Sequence, residues 1–248
     1  GQHGNNYFTA FQSRYAVELK TSDKFFSWGY KNLKKNIVPI FNFNCYRRSE
    51  NKRLFNKNGN LLAICSKIGL NRSPIERNNL DLKSTESILI ILNKFKNEVS
   101  KNILVRLSHS HKHEFKGYYF KKYYSNSGFK LNTDKNLRDL QINSRLNLFN
   151  YYSTGMLENF ILNIPSICYL EKDFEYHNDF FQNKAKFLVD AKILFFDKEK
   201  LINHIKAVWK NIDKWWLNKE TQRNIEKFNK NINLSGYNFN KLKRNILN

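Results

Sequence analysis

The segment that most constrains this chain runs from Tyr151 to Pro165 and reads YYSTGMLENFILNIP. It begins at the end of the apolar run 146–152, and after its small residues apolar side chains recur at the spacing of a helix. Pro165 ends that helix, because proline disfavours helical geometry in the residue before it. A second apolar run, 166–170, follows at once. The segment therefore predicts a strand, a tight turn, a short helix and a new strand.

The turn of this segment has the chemistry of an anion site. Ser153 or Thr154 is expected to cap the helix by accepting a hydrogen bond from a first-turn amide, and Gly155 lets another backbone come close. The remaining amides and the positive end of the helix dipole favour a phosphate. Glu158, one turn further in, is placed to accept hydrogen bonds from the vicinal hydroxyls of a ribose. The alternative is an ordinary βαβ unit whose helix begins with Ser-Thr-Gly.

Apolar runs that indicate buried strands alternate with helical periodicity through the middle of the chain. The strand-like runs lie at 60–66, 103–107 and 129–132, and the helical spacing lies at 84–99 and 137–142. This alternation predicts an α/β fold with a doubly wound, Rossmann-like parallel sheet. The chain has no GxGxxG, Walker or Gly-x-Ser-x-Gly pattern, which argues against a dinucleotide dehydrogenase, a P-loop kinase and an α/β-hydrolase.

The two ends of the chain carry further predictions. Residues 13–20 alternate like a strand, and a short buried strand is expected within 21–30. Residues 171–183 are expected to form a loop, and a long helix is expected over 198–216. A second helix is expected over 220–228, and the tail from Asn229 is expected to fray.

A histidine turn opens the sequence as Gly1-Gln2-His3-Gly4. Two glycines around His3 make a turn in which backbone and imidazole both reach a ligand. A neutral histidine can act as a base near pH 7. A purely structural role for His3 is the alternative.

Alternating histidines, His109 and His111, follow the strand that ends near Arg106. On an extended segment they project to one side, which is one arrangement for a metal site. No cysteine lies near them in sequence, and we predict no metal.

The net charge of +22 over 248 residues suggests nucleic acid, an anionic membrane or phosphorylated substrates as partners. The lysines are spread over every segment and no nucleic-acid-binding motif appears, so nucleic acid is not expected. Peripheral attraction to an anionic membrane stays open. The three cysteines form no CxxC pair, which argues against a disulfide framework. We find no signal-peptide or membrane-span pattern and expect a cytoplasmic protein, with peripheral location at the inner face of the membrane left open.

The segment 151–165 resembles the donor-site motif of glycosyltransferases with the GT-B fold. The shared pattern is a strand, Ser-Thr-Gly, two apolar residues and Glu, then Asn-Ile-Pro before the next strand. The resemblance implies that Ser153, Thr154 and Gly155 hold the donor phosphates and that Glu158 holds the nucleotide's ribose.

The first thirty residues are similar to a family of transferases of surface-carbohydrate synthesis, kin of capsule-polysaccharide transferases and CDP-glycerol glycerophosphotransferases. The matching positions are His3, Glu18, Ser22, Asp23, Trp28 and Gly29. The chain departs from the pattern at Asn5-Asn6, where glycine is usual. The resemblance implies that His3 is catalytic at an interdomain cleft, and that Arg106 with His109 or His111 contacts donor phosphate or sugar.

The resemblance implies a GT-B-like division of the chain. Residues 1–57 would be the tail of an acceptor-side domain with a linker, 58–197 the Rossmann-like donor domain, and 198–248 C-terminal helices that return toward the first domain. Gly1 in place of an initiator, with Met156 the sole methionine, leads us to expect a fragment or a processed chain.

The implied function is transfer of a sugar from a nucleotide-sugar donor to a surface polysaccharide or glycolipid, without a cofactor. A CDP-glycerol type polyol-phosphate transferase and a basic nucleic-acid-binding protein are the alternatives.

Overall fold

The structure is a computed structural model of the 248-residue chain. It describes residues 1–4, 7–9, 16–31, 36–45, 56–65, 80–95, 99, 103–106, 129–132, 136–171, 179–230, 232–236 and 239–247.

The N-terminal part holds a small parallel sheet. Helix α1 (Glu18–Thr21) precedes strand β1 (Phe25–Ser27), which pairs in parallel with β2 (Ile37–Pro39), and a 3₁₀ turn follows at Phe43–Cys45. The short strand predicted within 21–30 is therefore confirmed. Trp28, directly after β1, is fully buried and belongs to the same hydrophobic core as the large sheet.

Six parallel strands form the main sheet. They are β3 (Asn60–Ile64), β4 (Ile103–Arg106), β5 (Lys130–Asn132), β6 (Ser144–Phe149), β7 (Ser166–Tyr169) and β8 (Leu194–Phe195). Their spatial order is β5-β4-β3-β6-β7-β8, with every neighbouring pair parallel. Counted from β3, this is the order 3-2-1-4-5-6 of the doubly wound Rossmann fold, which confirms the predicted fold class.

Helices connect and cover these strands. They are α2 (Leu80–Asn93), α3 (Leu137–Ile142), α4 (Thr154–Ile161), α5 (Asp179–Asp190), α6 (Lys198–Trp209), α7 (Ile212–Trp216), α8 (Lys219–Asn229) and α9 (Phe239–Leu247). After β3 the chain adds β4 and β5 on one side of the sheet, and after β6 it adds β7 and β8 on the other side. Because parallel crossovers are right-handed, α2 lies on one face of the sheet and α4 and α5 lie on the other.

Residues 61–65, which comprise the rest of β3 after Asn60 and the position that follows the strand, are all buried. Residues 146–150, at the end of β6, are also all buried. A strand at the centre of a parallel sheet is covered on both faces, so it has no polar face. The continuous apolar runs in the sequence are explained by this position.

Four local predictions were wrong. The strand expected over 13–20 is wrong from Glu18 onward, where the chain forms helix α1. The alternating apolar residues there do not face a core, since Val17 is 66% exposed. The loop expected to extend to Asn183 ends at Asp179, where α5 begins. The helix expected over 198–216 is interrupted by Asn211, whose side chain accepts a hydrogen bond from the Lys214 amide and caps a new helix.

The fourth correction concerns the tail from Asn229. It does not fray directly, because Ile232 and Asn233 are buried and α9 follows. Asn233 donates through Nδ2 to the Leu157 carbonyl (2.7 Å) and accepts from Asn42 Nδ2 (2.8 Å). Lys241 Nζ donates to the Pro39 carbonyl (2.6 Å), so α9 lies against the N-terminal part.

Across the described ranges, we find no helix with the length and apolar character needed to cross a bilayer.

Candidate functional site

The order of strands reverses between β3 and β6, and folds of this class have a crevice at such a switch point, outside the carboxyl ends of the strands. Open α/β sheets bind their ligands at such a point. Ile64 of β3 lies beside Phe149 of β6, and Phe149 lies beside Cys168 of β7. The turn that contains Ser153 follows β6 directly, so the sheet places it at this crevice.

The N-terminus of α4 is built as the sequence predicts. Ser153 has extended backbone (φ −124°, ψ 155°), and its Oγ accepts a hydrogen bond from the Met156 amide at 3.1 Å. The Met156 and Leu157 amides also donate to the Ser153 carbonyl, at 3.2 and 3.3 Å. Thr154 and Gly155 are the first two residues of this helix.

Exposure distinguishes the residues of this turn. Ser153 is 3% exposed and its hydroxyl caps the helix, so its side chain stabilises the turn and does not face a ligand. Thr154 and Gly155 are only partly buried. The arrangement presents first-turn backbone amides and the positive end of the helix dipole at the crevice, which is the chemistry of an anion site.

Gly155 has a different neighbour from the one expected. The sequence led us to expect another backbone segment close to Gly155. The nearest atom to a Cβ at this position would instead be Nε2 of the Gln141 side chain, at 3.2 Å. That amide also donates to the Gly155 carbonyl at 3.3 Å. The expectation was thus wrong, since a side chain occupies this side of the turn. Nothing in the sequence around α3 signalled the contact.

Glu158 lies in an ion pair that the sequence did not reveal. Arg138 of α3 contacts it through Nη2 and Oε2 at 2.5 Å, and Asn44 of the 3₁₀ turn donates a hydrogen bond to the same carboxylate. Burial raises the pKa of Glu158 above its ordinary value, and the charge of Arg138 and the two hydrogen bonds oppose that shift. Glu158 therefore joins α4, α3 and the N-terminal part.

Arg106 ends β4, one strand beyond β3 from the switch point. Its Nη1 donates to the Asn132 carbonyl of β5 at 3.3 Å, so the guanidinium is directed away from α4. The structure thus places Arg106 and Ser153 at the same edge of the sheet without bringing them together. His109 and His111 lie outside the described residues.

The turn that carries His3 is held by Gln2. The Gln2 amide donates to the Phe26 carbonyl of β1 (2.8 Å), and the Gln2 side chain accepts from the Trp28 amide (2.8 Å) and donates to the Gly4 carbonyl (2.9 Å). Gln2 is buried, whereas His3 beside it is exposed. The sequence predicted the turn, and Gln2 explains how it is fixed.

Two further side chains line up with His3. The Tyr7 hydroxyl lies 3.1 Å from His3 Nδ1 and donates a hydrogen bond to Glu18 Oε1. The hydrogen bond from Tyr7, and then a backbone hydrogen bond, lower the pKa of Glu18. The sequence marked His3 and Glu18 but gave no reason to select Tyr7.

An aromatic chain connects this N-terminal cluster to the carboxyl edge of the sheet. Phe8, which follows Tyr7, stacks on Tyr30 with ring centroids 4.0 Å apart. Tyr30 in turn meets Phe180 edge to face at 4.9 Å. Phe180 lies in the first turn of α5, and that helix begins at the edge where β7 ends. The histidine turn therefore lies toward the edge of the sheet that carries Ser153.

Glu171, which follows β7 by two residues, contacts three neighbouring side chains. Its carboxylate accepts hydrogen bonds from Ser87 of α2 and from the Tyr169 hydroxyl, and Lys198 Nζ lies 4.0 Å away. These contacts tie α2, β7 and α6 together.

The described residues contain no group of three or more His, Cys, Asp or Glu side chains arranged to hold a metal ion. Cys65 and Cys168 are both buried as free thiols. Burial raises the pKa of the Cys168 thiol, which makes it a poor nucleophile.

Comparison with known proteins gives a family and a structural relative. A family model described as LIC12162 family transferase matches residues 1–247. No curated protein matches the chain. A solved spinosyn rhamnosyltransferase, SpnG, is similar at 12% sequence identity with a TM-score of 0.43, over 85% of this chain and 49% of that chain. The chain thus spans about half the length of that rhamnosyltransferase.

Proposed function

The chain belongs to the LIC12162 transferase family, and from this premise we propose that it is a glycosyltransferase of the GT-B type that uses a nucleotide-sugar donor. Its acceptor would be a surface polysaccharide or a glycolipid. The family match confirms the transferase class that the sequence suggested. The nature of the donor and the acceptor belongs to the proposal.

One observation carries the proposal. The capped N-terminus of α4 stands at the switch point of a doubly wound sheet, with Thr154 and Gly155 as the first residues of the helix. Helix amides and the helix dipole stabilise negative charge. In sugar transfer the leaving group is a nucleotide phosphate, which gains charge as the bond to the sugar breaks. A site of this kind supplies that stabilisation from the backbone.

Glu158 has the capacity for the ribose role within the proposal. An ionised carboxylate offers about four acceptor positions, and in the proposal one of them would accept from a ribose hydroxyl. Arg138 would then orient the carboxylate. His3 would act at the cleft as the base for the acceptor hydroxyl, and Arg106 with His109 or His111 would contact the outer part of the donor.

The division of the chain into 1–57, 58–197 and 198–248 is part of the proposal. Contacts of α9 and Asn233 with the N-terminal part support the return of the C-terminal helices toward the first unit. A GT-B enzyme has two Rossmann-like domains, and the described residues hold one six-stranded sheet. We accordingly propose that the sequence lacks most of an acceptor domain. Alone it would bind nucleotide weakly and transfer nothing.

The charge of the chain bears on where the acceptor is found. A net charge of +22 suits an acceptor at an anionic membrane, since each well-placed Lys or Arg contributes about 1 kcal/mol to attraction by acidic lipid. We propose that the protein works in the cytoplasm against the inner face of the membrane.

The test is equilibrium binding of nucleotide sugars to the wild type and to Thr154→Asp. An aspartate in the first turn favours the helix but repels a phosphate, so the variant should fold while its affinity falls at least about tenfold, or about 1.4 kcal/mol. Asn240→Asp is the matched control, because it adds one negative charge at an exposed position in the first turn of α9. The control should bind as the wild type does.

The ligand panel separates the competing functions. UDP-, GDP- and CMP-sugars should bind, CDP-glycerol should not, and random RNA should bind only in low salt. Binding of CDP-glycerol alone would replace the proposal with a polyol-phosphate transferase. Salt-dependent RNA binding without any response to nucleotide sugars would replace it with a nucleic-acid-binding protein.

A further inference from the structure

His3, Tyr7 and Glu18 form a hydrogen-bonded series on the surface of the N-terminal part. The His3 and Tyr7 rings meet edge to face with centroids 5.1 Å apart, and the hydroxyl of Tyr7 lies between His3 Nδ1 and the Glu18 carboxylate. Glu18 is held in turn by α1, where Ser22 donates to its backbone carbonyl.

Counting protons along this series fixes the direction of each bond. A tyrosine hydroxyl carries one proton, and an ionised carboxylate can only accept. Tyr7 gives its proton to Glu18, so at the other end its oxygen must accept. The group that donates to it at 3.1 Å is therefore His3 Nδ1–H.

We infer that Tyr7 and Glu18 are positioning residues, which hold neutral His3 in the Nδ1–H tautomer and leave its Nε2 lone pair directed to solvent as a base. The inference rests on the proposed function only where it concerns catalysis. The tautomer itself is a property of the three side chains.

The protonation states of the two partners support this direction. The hydrogen bond from Tyr7 lowers the pKa of Glu18, so the carboxyl is ionised at neutral pH and acts as an acceptor. Burial and the bond to Glu18 raise the pKa of Tyr7 to about 12, so its hydroxyl keeps the proton it donates.

In the proposed transfer, Nε2 would take the proton of the acceptor hydroxyl as that oxygen bonds to the anomeric carbon. The bond from the anomeric carbon to the donor phosphate breaks, and its electron pair leaves with the nucleotide. The imidazolium that forms would be stabilised by the Glu18 charge through Tyr7. This is the general role of a carboxylate behind a catalytic histidine.

The experiment is nitrogen NMR on the full 248-residue chain with labelled histidine, at about pH 8, where an ordinary imidazole is neutral. Long-range proton–nitrogen spectra report which ring nitrogen carries the proton. The expected result for the wild type is His3 protonated on Nδ1. Tyr7→Phe removes the acceptor, and Glu18→Ala frees the Tyr7 proton for Nδ1, so both variants should shift the proton to Nε2.

Two controls separate positioning from a general loss of structure. Tyr30→Phe removes a hydroxyl from the same aromatic cluster, away from His3, and should keep the wild-type tautomer. Glu18→Gln should also keep it, because the amide carbonyl still accepts from Tyr7. A wild-type His3 protonated on Nε2, or a Tyr7→Phe spectrum that equals the wild type, would overturn the inference. The expected tautomer in a chain that binds no nucleotide sugar would instead refute the proposed function alone.

Discussion

Arg138 and Glu158 form an ion pair between α3 and α4, with Nη2 and Oε2 2.5 Å apart and side-chain exposures of 28% and 16%. Burial raises the pKa of Glu158 despite that partner. A carboxyl whose pKa is raised on folding stabilises the fold most when it is protonated, so its contribution falls as pH rises from its ordinary value of 4.5 through the raised value.

The first prediction concerns the pH dependence of this pair. Arg138→Met removes the charge that opposes the shift, so the pKa of Glu158 rises further and the loss of stability extends to higher pH. We expect the variant to lose about 1–3 kcal/mol of unfolding free energy at pH 7.5 and clearly less at pH 5. Urea denaturation at the two pH values measures this. Adding Glu158→Gln should remove the difference between them, and equal losses at both pH values would contradict the account.

The second prediction concerns His204, which stacks on Phe195 and meets Trp215 edge to face. Burial, with a smaller contribution from Lys192, lowers the pKa of His204 from 6.5 to about 4. The unfolded chain binds this proton more readily, so stability is lost as pH falls from 6.5 toward 4. The loss should approach about 3 kcal/mol, reduced by the residual solvent contact of the ring.

His204→Phe keeps an aromatic ring at this position and removes the titration. Its unfolding free energy should therefore change less than that of the wild type between pH 7 and pH 4.5. Parallel pH profiles for the two proteins would show that His204 titrates normally.

The third prediction concerns Asn233, which joins the C-terminal segment to α4 and to the N-terminal part. Asn233→Ala removes the donor to the Leu157 carbonyl and the acceptor for Asn42. Because these groups are buried, we expect a loss of about 2–4 kcal/mol in unfolding free energy. Asn240→Ala, at an exposed position of α9, serves as the control and should cost under about 0.5 kcal/mol. Equal costs for the two variants would contradict this role of Asn233.

The fourth prediction concerns the cap of α4. Ser153→Ala should lower the unfolding free energy by about 1 kcal/mol, because the Met156 amide loses its side-chain acceptor. Ser153→Thr keeps a hydroxyl and should retain most of the stability. Amide hydrogen exchange should be faster at Met156 in the alanine variant only. A change spread evenly over all helices would indicate a different cause.

The sheet could be predicted because its central strands are buried on both faces. The continuous apolar run from Leu61 to Ile64 and the run that ends at Phe149 left no other placement in an α/β chain. The N-terminus of α4 could be predicted for a local reason, since Ser153 bonds to an amide three residues away. Local chemistry of this kind is visible in the sequence.

The contacts that shape the candidate site were not visible in the same way. Arg138 meets Glu158 across twenty positions, and Asn233 meets Asn42 across 191. Such pairs depend on the tertiary arrangement of α3, α4 and the C-terminal segment. Helix α1 was missed for the opposite reason, because alternating residues there resembled a strand although the segment is too exposed to need one.

The most direct test of the central claim is an amide NMR titration of the ¹⁵N-labelled chain with a mixture of uridine, guanosine, cytidine and thymidine diphosphates. If the N-terminus of α4 binds the donor phosphates, the largest shifts will occur at the Thr154 and Gly155 amides, and Thr154→Asp will abolish the shift at Gly155. Shifts confined to other parts of the chain, or none at saturating nucleotide, would contradict the account.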